Sequence, residues 1–171
     1  MENPIQKYYS FEKIQGQVLE IARQLQQTGF RPDYIVGITR GGLIPATLLS
    51  HYLNVKLETL KVNLRDNFGV SESESNCWMA EDALQGKNIL VVDDINDSGA
   101  TINWIKKDWE ASCFANQADW NTVWHNNVRF AVLIDNEESE ATIDYSAWDI
   151  NKAANPEWCV FHWEEWWKWA K

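Results

Sequence analysis

The sequence predicts an α/β fold: a central, mostly parallel twisted sheet flanked by helices. Two observations carry the prediction. Short apolar runs of strand length recur along the chain, at 34–38, 88–93 and 128–134. Between them lie segments whose apolar residues repeat at helical spacing, and this alternation implies parallel strands joined by right-handed crossovers.

In chain order, Phe11, Ile14, Val18, Leu19, Ile21, Ala22 and Leu25 recur at three- and four-residue steps. They define an amphipathic helix over 11–27, closed by Gly29. A buried strand follows at 34–38, then a Gly41-Gly42 turn, a helix over 44–53 and a strand over 55–62, which together make one βαβ unit. Residues 63–86 contain Asn67, Gly69, the run Ser71-Glu72-Ser73-Glu74-Ser75 and Asn76, with no sustained period, and read as one long mobile loop. A strand at 88–93, a helix over 100–111 and a strand at 128–134 complete the pattern. The stretch 112–127, rich in Asn, Asp and Trp, has no assignment.

The chain has 171 residues, the size of one domain, and 45% of them are hydrophobic, enough for a core without disulfides. Its formal net charge of -10 argues against a nucleic-acid backbone as partner, which needs an extended basic patch. Cys77, Cys113 and Cys159 are scattered, without zinc-site spacing, and read as free thiols in a reducing compartment. No apolar run approaches the roughly 20 residues that span a bilayer. The start, Met1-Glu2-Asn3-Pro4, lacks the features of a signal peptide, so the expected location is cytoplasmic, with no membrane partner.

The chemistry concentrates in Ile89-Leu90-Val91-Val92-Asp93-Asp94-Ile95-Asn96-Asp97-Ser98-Gly99-Ala100-Thr101. A buried strand delivers acids at its carboxyl end and turns into a helix, the place where α/β sheets bind ligands. The turn 97–101 offers a row of backbone N–H groups at a helix N-terminus. The Ser98 and Thr101 hydroxyls stand beside them, Gly99 allows close approach, and the whole suits a phosphate. Asp93 and Asp94 are placed to accept hydrogen bonds from a vicinal diol and to neutralise a divalent cation. Taken singly, these features also describe a helix cap and two solvated acids.

The whole string, however, closely resembles the signature of type I phosphoribosyltransferases. A second segment, Pro32 through Thr39-Arg40-Gly41-Gly42 to Pro45, resembles the same family's pyrophosphate loop. The resemblance implies binding of 5-phosphoribosyl-1-diphosphate (PRPP) with Mg²⁺, and transfer of the phosphoribosyl group to a nucleobase. Asp93, Asp94, Asp97, Ser98, Gly99, Ala100 and Thr101 would hold the ribose and 5′-phosphate, and Asp93 and Asp94 the metal, directly or through water and PRPP. Thr39, Arg40, and the amides of Gly41 and Gly42 would hold the diphosphate, with a strained, cis peptide expected at Thr39-Arg40. Asp97 would accept the proton of the incoming base, with Arg40 as the second catalytic residue.

Beyond the core, taken as about 10–135, the segments 128–134, Asp144-Tyr145 and Pro156 to Glu164 resemble the purine branch, the xanthine-guanine and hypoxanthine enzymes. On that resemblance 136–171 forms a small base-binding hood. Trp158 stacks on the base, and main-chain groups around Cys159 and Phe161 bond its edge. The lysine usual after the 128–134 strand is replaced by Asp135-Asn136-Glu137. Asn136 is nearest its place, and its amide, which donates and accepts, suits a base with a different edge, such as an amino group. Trp163, Trp166 and Trp167 have helix spacing suited to sealing the core or a dimer interface, and the family implies a homodimer or homotetramer.

The competing reading is a non-catalytic regulator that senses PRPP or a nucleotide on the same fold. Asp97 together with Arg40 favours the enzyme, and the missing lysine favours the regulator. A nucleotide-hydrolase reading lacks its GxxxxGK[ST] loop. His51, His125 and His162 have no partner at informative spacing, and Lys61 and Arg65 read as surface charges.

Overall fold

The computed structural model describes residues 4–64, 73, 76–113 and 116–170. Most of the serine-rich run, and Arg65 with it, lies outside the described residues. The expectation of a mobile loop falls, over 65–72 and 74–75, outside the described residues.

The elements run β1 (Ile5–Tyr9), α1 (Phe11–Thr28), β2 (Tyr34–Thr39), α2 (Leu43–Leu53), β3 (Lys56–Lys61), α3 (Cys77–Leu84), β4 (Ile89–Asn96), α4 (Ala100–Ser112), α5 (Gln117–Trp120), β5 (Val128–Asn136), β6 (Tyr145–Ile150) and β7 (Glu157–Phe161). Two short 3₁₀ turns, His162–Glu164 and Trp166–Lys168, follow. Five strands pair in parallel in the order β3-β2-β4-β5-β6. β1 and β7 form a separate parallel pair.

Alternation along the strands sends side chains to two cores. Ile35 of β2, Leu90 and Val92 of β4, and Ala131 and Leu133 of β5 face one layer, where they meet Ile14, Val18, Ile21 and Leu25 of α1 and Ala46 and Leu49 of α2. Val36, Ile38, Val91 and Phe130 face the other, against Met79, Ala80 and Ala83 of α3 and Ile102, Ile105 and Trp109 of α4. Helix α1 begins where Ser10 Oγ accepts a bond from the Lys13 amide and ends at Gly29, whose φ of 68° is the left-handed cap.

Three departures from the sequence expectation have local causes. The loop expected over 63–86 is shorter, because Cys77–Leu84 is helical and buries Met79, Ala80 and Ala83. The unassigned 112–127 stretch carries α5 and inserts Trp120 and Val123 into the second core. Trp163, Trp166 and Trp167 lie on 3₁₀ turns rather than one helix. Trp163 stacks on Phe161 with centroids 4.9 Å apart, while Trp166 and Trp167 are exposed.

Because all five strands of the main sheet are parallel, their carboxyl ends share one edge. The chain leaves β2 for β3 on one side and crosses back to β4 on the other, so its direction reverses between β2 and β4. The helices that follow these two strands pack on opposite faces, α2 in the first core and α4 in the second. Their connecting loops therefore leave the sheet edge toward opposite faces, the arrangement in which α/β sheets form a ligand crevice.

Phe130 is fully buried and lies 6.0 Å from Trp124 between ring centroids. We expect Phe130→Ala to lose about 3–5 kcal/mol of unfolding free energy. A urea titration showing a loss below about 1 kcal/mol would contradict the packing described.

Candidate active site

The crevice is built from four loops at the sheet edge, and its floor is set by glycine. At Gly41 an added Cβ would overlap the Asp94 carboxylate, with Oδ1 only 2.8 Å away. At Gly42 it would press into the β4 backbone, 2.8 Å from the Asp93 Cα. These two positions bring the loop after β2 into contact with the acidic end of β4, where any side chain would hold the two apart.

The peptide Thr39-Arg40 is cis, as expected. Arg40 is exposed at the crevice mouth, and its carbonyl accepts the Leu43 amide at 3.2 Å, starting α2. One expectation needs correction. The Gly42 amide donates to the Ile38 carbonyl at 2.8 Å, so it closes the turn rather than facing a ligand. The tight turn that lets Gly42 approach β4 is the same turn that consumes its N–H.

On β4, Asp93 Oδ1 accepts the Asp94 amide at 2.9 Å and Asp94 Oδ1 accepts the Ile95 amide at 2.8 Å. Burial pushes the Asp94 carboxyl up to about 6, against the opposing effect of its hydrogen bonds, and the negative charge of Glu164 adds to the rise. Glu164 stands in the first 3₁₀ turn, its carboxylate accepting the Phe161 amide at 2.8 Å. The end of the chain thus contributes to the field at the acidic strand end.

The turn after β4 is fixed by Gly99, with φ 85° and no room for a Cβ beside the Ala141 amide at 2.6 Å. Its carbonyl accepts the Asn103 amide at 3.0 Å, and the Ser98 hydroxyl lies 3.4 Å from the Ala100 amide. Ser98 and Ala100 are exposed and Thr101 is half-buried, at the N-terminus of the 13-residue α4. A helix start with accessible amides and hydroxyls can receive a phosphate group.

Behind the turn, buried Asn96 ties the site to the next strand. Its Nδ2 donates to Asp135 Oδ1 at 2.7 Å and to the Ala141 carbonyl at 3.0 Å, and its Oδ1 accepts the Ser139 hydroxyl at 2.9 Å. Asn136 is also buried: Nδ2 donates to the Asp97 carbonyl at 2.9 Å and Oδ1 accepts the Lys152 amide at 3.2 Å. Both ends of the amide expected to face a base are therefore engaged within the protein.

Within the 136–171 segment β7 pairs with β1, with Lys7 opposite Cys159. Cys159 is buried, and burial raises its thiol pKa, whereas Trp158, on the opposite side of β7, is 46% exposed. Sequence reasoning missed Lys152, in the turn after β6. Its ammonium lies 2.9 Å from Asp97 Oδ1 and 5.9 Å from the Trp158 ring centroid. No local motif marks it, since it reaches the site from a strand that had no assignment.

Among the described residues, no group of three or more His, Cys, Asp and Glu side chains is placed to hold a metal ion. The adjacent carboxylates of Asp93 and Asp94 are a partial set. They fit Mg²⁺, which takes one or two protein carboxylates and completes its shell with phosphate oxygens and water.

The phosphoribosyl transferase domain model matches residues 5–168, and the chain belongs to that family. It is 30% identical over 122 residues to the hypoxanthine-guanine phosphoribosyltransferase of Schizosaccharomyces pombe, covering 60% of this chain and 58% of that protein. It is 23% identical over 152 residues to xanthine phosphoribosyltransferase 1 of Saccharomyces cerevisiae, covering 77% and 73%. The chain thus spans less than two thirds of the length of the first of these relatives. Among solved structures, the purine phosphoribosyltransferase from Pyrococcus horikoshii shares the fold, with a TM-score of 0.66 and 24% identity over 94% of this chain and 95% of that one.

The raised Asp94 pKa fixes the sign of a stability change. Its favourable contribution is fully present below the ordinary carboxyl value of 3.8 and is lost as pH rises through about 6. Asp94→Asn should therefore be more stable than the wild type at pH 7.5, by about 3 kcal/mol, and unfold at higher temperature. The gain should vanish near pH 4, and thermal melts at the two pH values showing no such difference would contradict the burial of this charge.

Proposed function

We propose that the protein transfers the 5-phosphoribosyl group from PRPP to a purine-type base and releases pyrophosphate. The observation that carries this reading is the contact between the two loops. Gly41 and Gly42 abut the Asp93-Asp94 strand end, so a diphosphate group beside Arg40 and a ribose diol beside the two acids lie within one crevice.

In this reading Arg40 gathers the diphosphate with its permanent charge and five donors. Asp93 and Asp94 accept from the ribose hydroxyls, and the 98–101 turn receives the 5′-phosphate. The base stacks on the ring of Trp158. Displacement at the anomeric carbon builds positive charge on the sugar ring and negative charge on the departing oxygen, and fixed groups on both sides lower the barrier. Asp97 takes the proton of the attacking ring nitrogen. Asp93 and Asp94 would hold Mg²⁺ together with PRPP, and the ion would neutralise charge at the diphosphate.

A homodimer or homotetramer, a cytoplasmic location and a role in purine salvage belong to the same proposal. Structurally, no helix among the described residues is long and apolar enough to cross a membrane.

The test incubates the protein with PRPP, Mg²⁺ and a panel of purines, pyrimidines and modified bases, and follows pyrophosphate release. Transfer to at least one purine is expected, with loss of activity on chelation by EDTA. Asp97→Asn should lower kcat by about 10²–10⁴ with the fold intact, and Arg40→Ala should chiefly weaken use of PRPP. PRPP binding without release for every base would instead identify a regulator on this fold.

A further inference from the structure

The Asp97 carboxylate is paired with a cation that belongs to no motif, Lys152, at 2.9 Å. Lys152 follows β6, two residues past Ile150, which pairs with Asn136 at the end of β5. The turn that carries it is pinned on several sides. Asn136 Oδ1 accepts its amide, Glu137 donates its own amide to the Ile150 carbonyl at 2.9 Å, and Asn151 both donates to Glu137 at 3.0 Å and accepts the Ala154 amide at 2.9 Å. The backbone at 152 is thus fixed, while the four-carbon side chain retains its rotamers.

The Lys152 ammonium lies between the Asp97 carboxylate and the Trp158 face, with its side chain only 19% exposed. An aromatic ring stacked on Trp158 at van der Waals distance takes the space the ammonium now covers, so the ammonium must move to the edge of that ring. With most of its side chain out of water, the ammonium gains from an acceptor there to replace Asp97. An ammonium has three donors and no acceptor. It can bond an exocyclic carbonyl oxygen and cannot bond an exocyclic amino group, whose hydrogens it would face.

We propose that Lys152 is the specificity-determining residue for the base. Its ammonium passes from Asp97 to the carbonyl oxygen of an oxo-purine stacked on Trp158, and so selects oxo- over amino-purines. The proposal rests on the phosphoribosyl-transfer reading of the site. Asn136 acts as a positioning residue: it bridges the Asp97 carbonyl to the Lys152 amide and sets where the ammonium can reach. Departure of the ammonium also uncovers Asp97 when a base arrives, which ties proton acceptance to the presence of the proper ring.

Equilibrium binding avoids dependence on turnover. Calorimetric titration of wild type, Lys152→Met and Lys152→Arg with inosine and adenosine 5′-monophosphates compares an oxo and an amino edge on one phosphoribosyl group. We expect the wild type to prefer the inosine nucleotide by at least about tenfold, the size of one charged hydrogen bond. Lys152→Met should remove that preference by weakening the inosine nucleotide alone, and Lys152→Arg should retain most of it. Equal preference in wild type and Lys152→Met, or a wild type that favours the adenosine nucleotide, overturns the role of Lys152 and leaves phosphoribosyl binding standing. Failure of the wild type to bind either nucleotide overturns both.

Discussion

The site depends on the missing Cβ atoms at positions 41 and 42. A parallel sheet places its strand ends side by side at the spacing of the hydrogen-bond ladder, which leaves no volume for a loop to fold back over the neighbouring strand. Here the loop after β2 does fold back, and the Gly42 amide bonds to Ile38 at 2.8 Å to close it. Only a residue without a side chain fits against the Asp94 carboxylate and the Asp93 backbone. Removing that freedom would separate Arg40 from the acids, and a ligand carrying both a diphosphate and a diol would span two half-sites instead of one.

The second constraint joins distant parts of the chain. β1 and β7 pair in register from Ile5 with Glu157 to Tyr9 with Phe161, so β1 anchors β7. Phe161 packs with Tyr9 in the first core, its ring stacks on Trp163, and Glu164 caps the Phe161 amide while its charge is felt at Asp94. β7 is thereby fixed to the same core as α1 and α2, and Trp158 is presented from a strand whose following residues, Cys159, Val160 and Phe161, are buried. A flat ring offered from a rigid strand suits stacking better than one on a loose tail.

What the sequence made legible follows from how locally each feature is encoded. The βα units around β2 and β4 announce themselves by apolar runs and helical spacing, and the 39–42 and 93–101 loops by residues whose chemistry is readable at short range. β1, β6 and β7 were invisible. Ile5 is exposed and Trp148 and Trp158 are half-exposed, so these strands lack a clean alternation and are held by partners far away in the chain. Helix α3 was hidden by the polar run before it. Asn136, read as lying just past a strand at 128–134, is the last residue of β5, and the engagement of its amide by Asp97 and Lys152 is a three-element contact that no local pattern predicts.

A chain of net charge -10 that gathers acids at one strand end must recruit positive charge wherever an anionic ligand sits. Coulomb interaction favours a few near cations over many distant ones, because screening removes charges beyond about 10 Å. Arg40 on the loop after β2 and Lys152 on the turn after β6 flank the crevice from its two ends, one beside the expected diphosphate and the other at Asp97. They come from strands separated by β4 and β5 in the sheet, so their fields act on different parts of one ligand. Arg cannot lose its proton and suits a fixed anion, whereas Lys is a compact, mobile donor suited to exchange one oxygen for another. On the proposed reading, the division of labour between diphosphate and base follows from the chemistry of these two side chains.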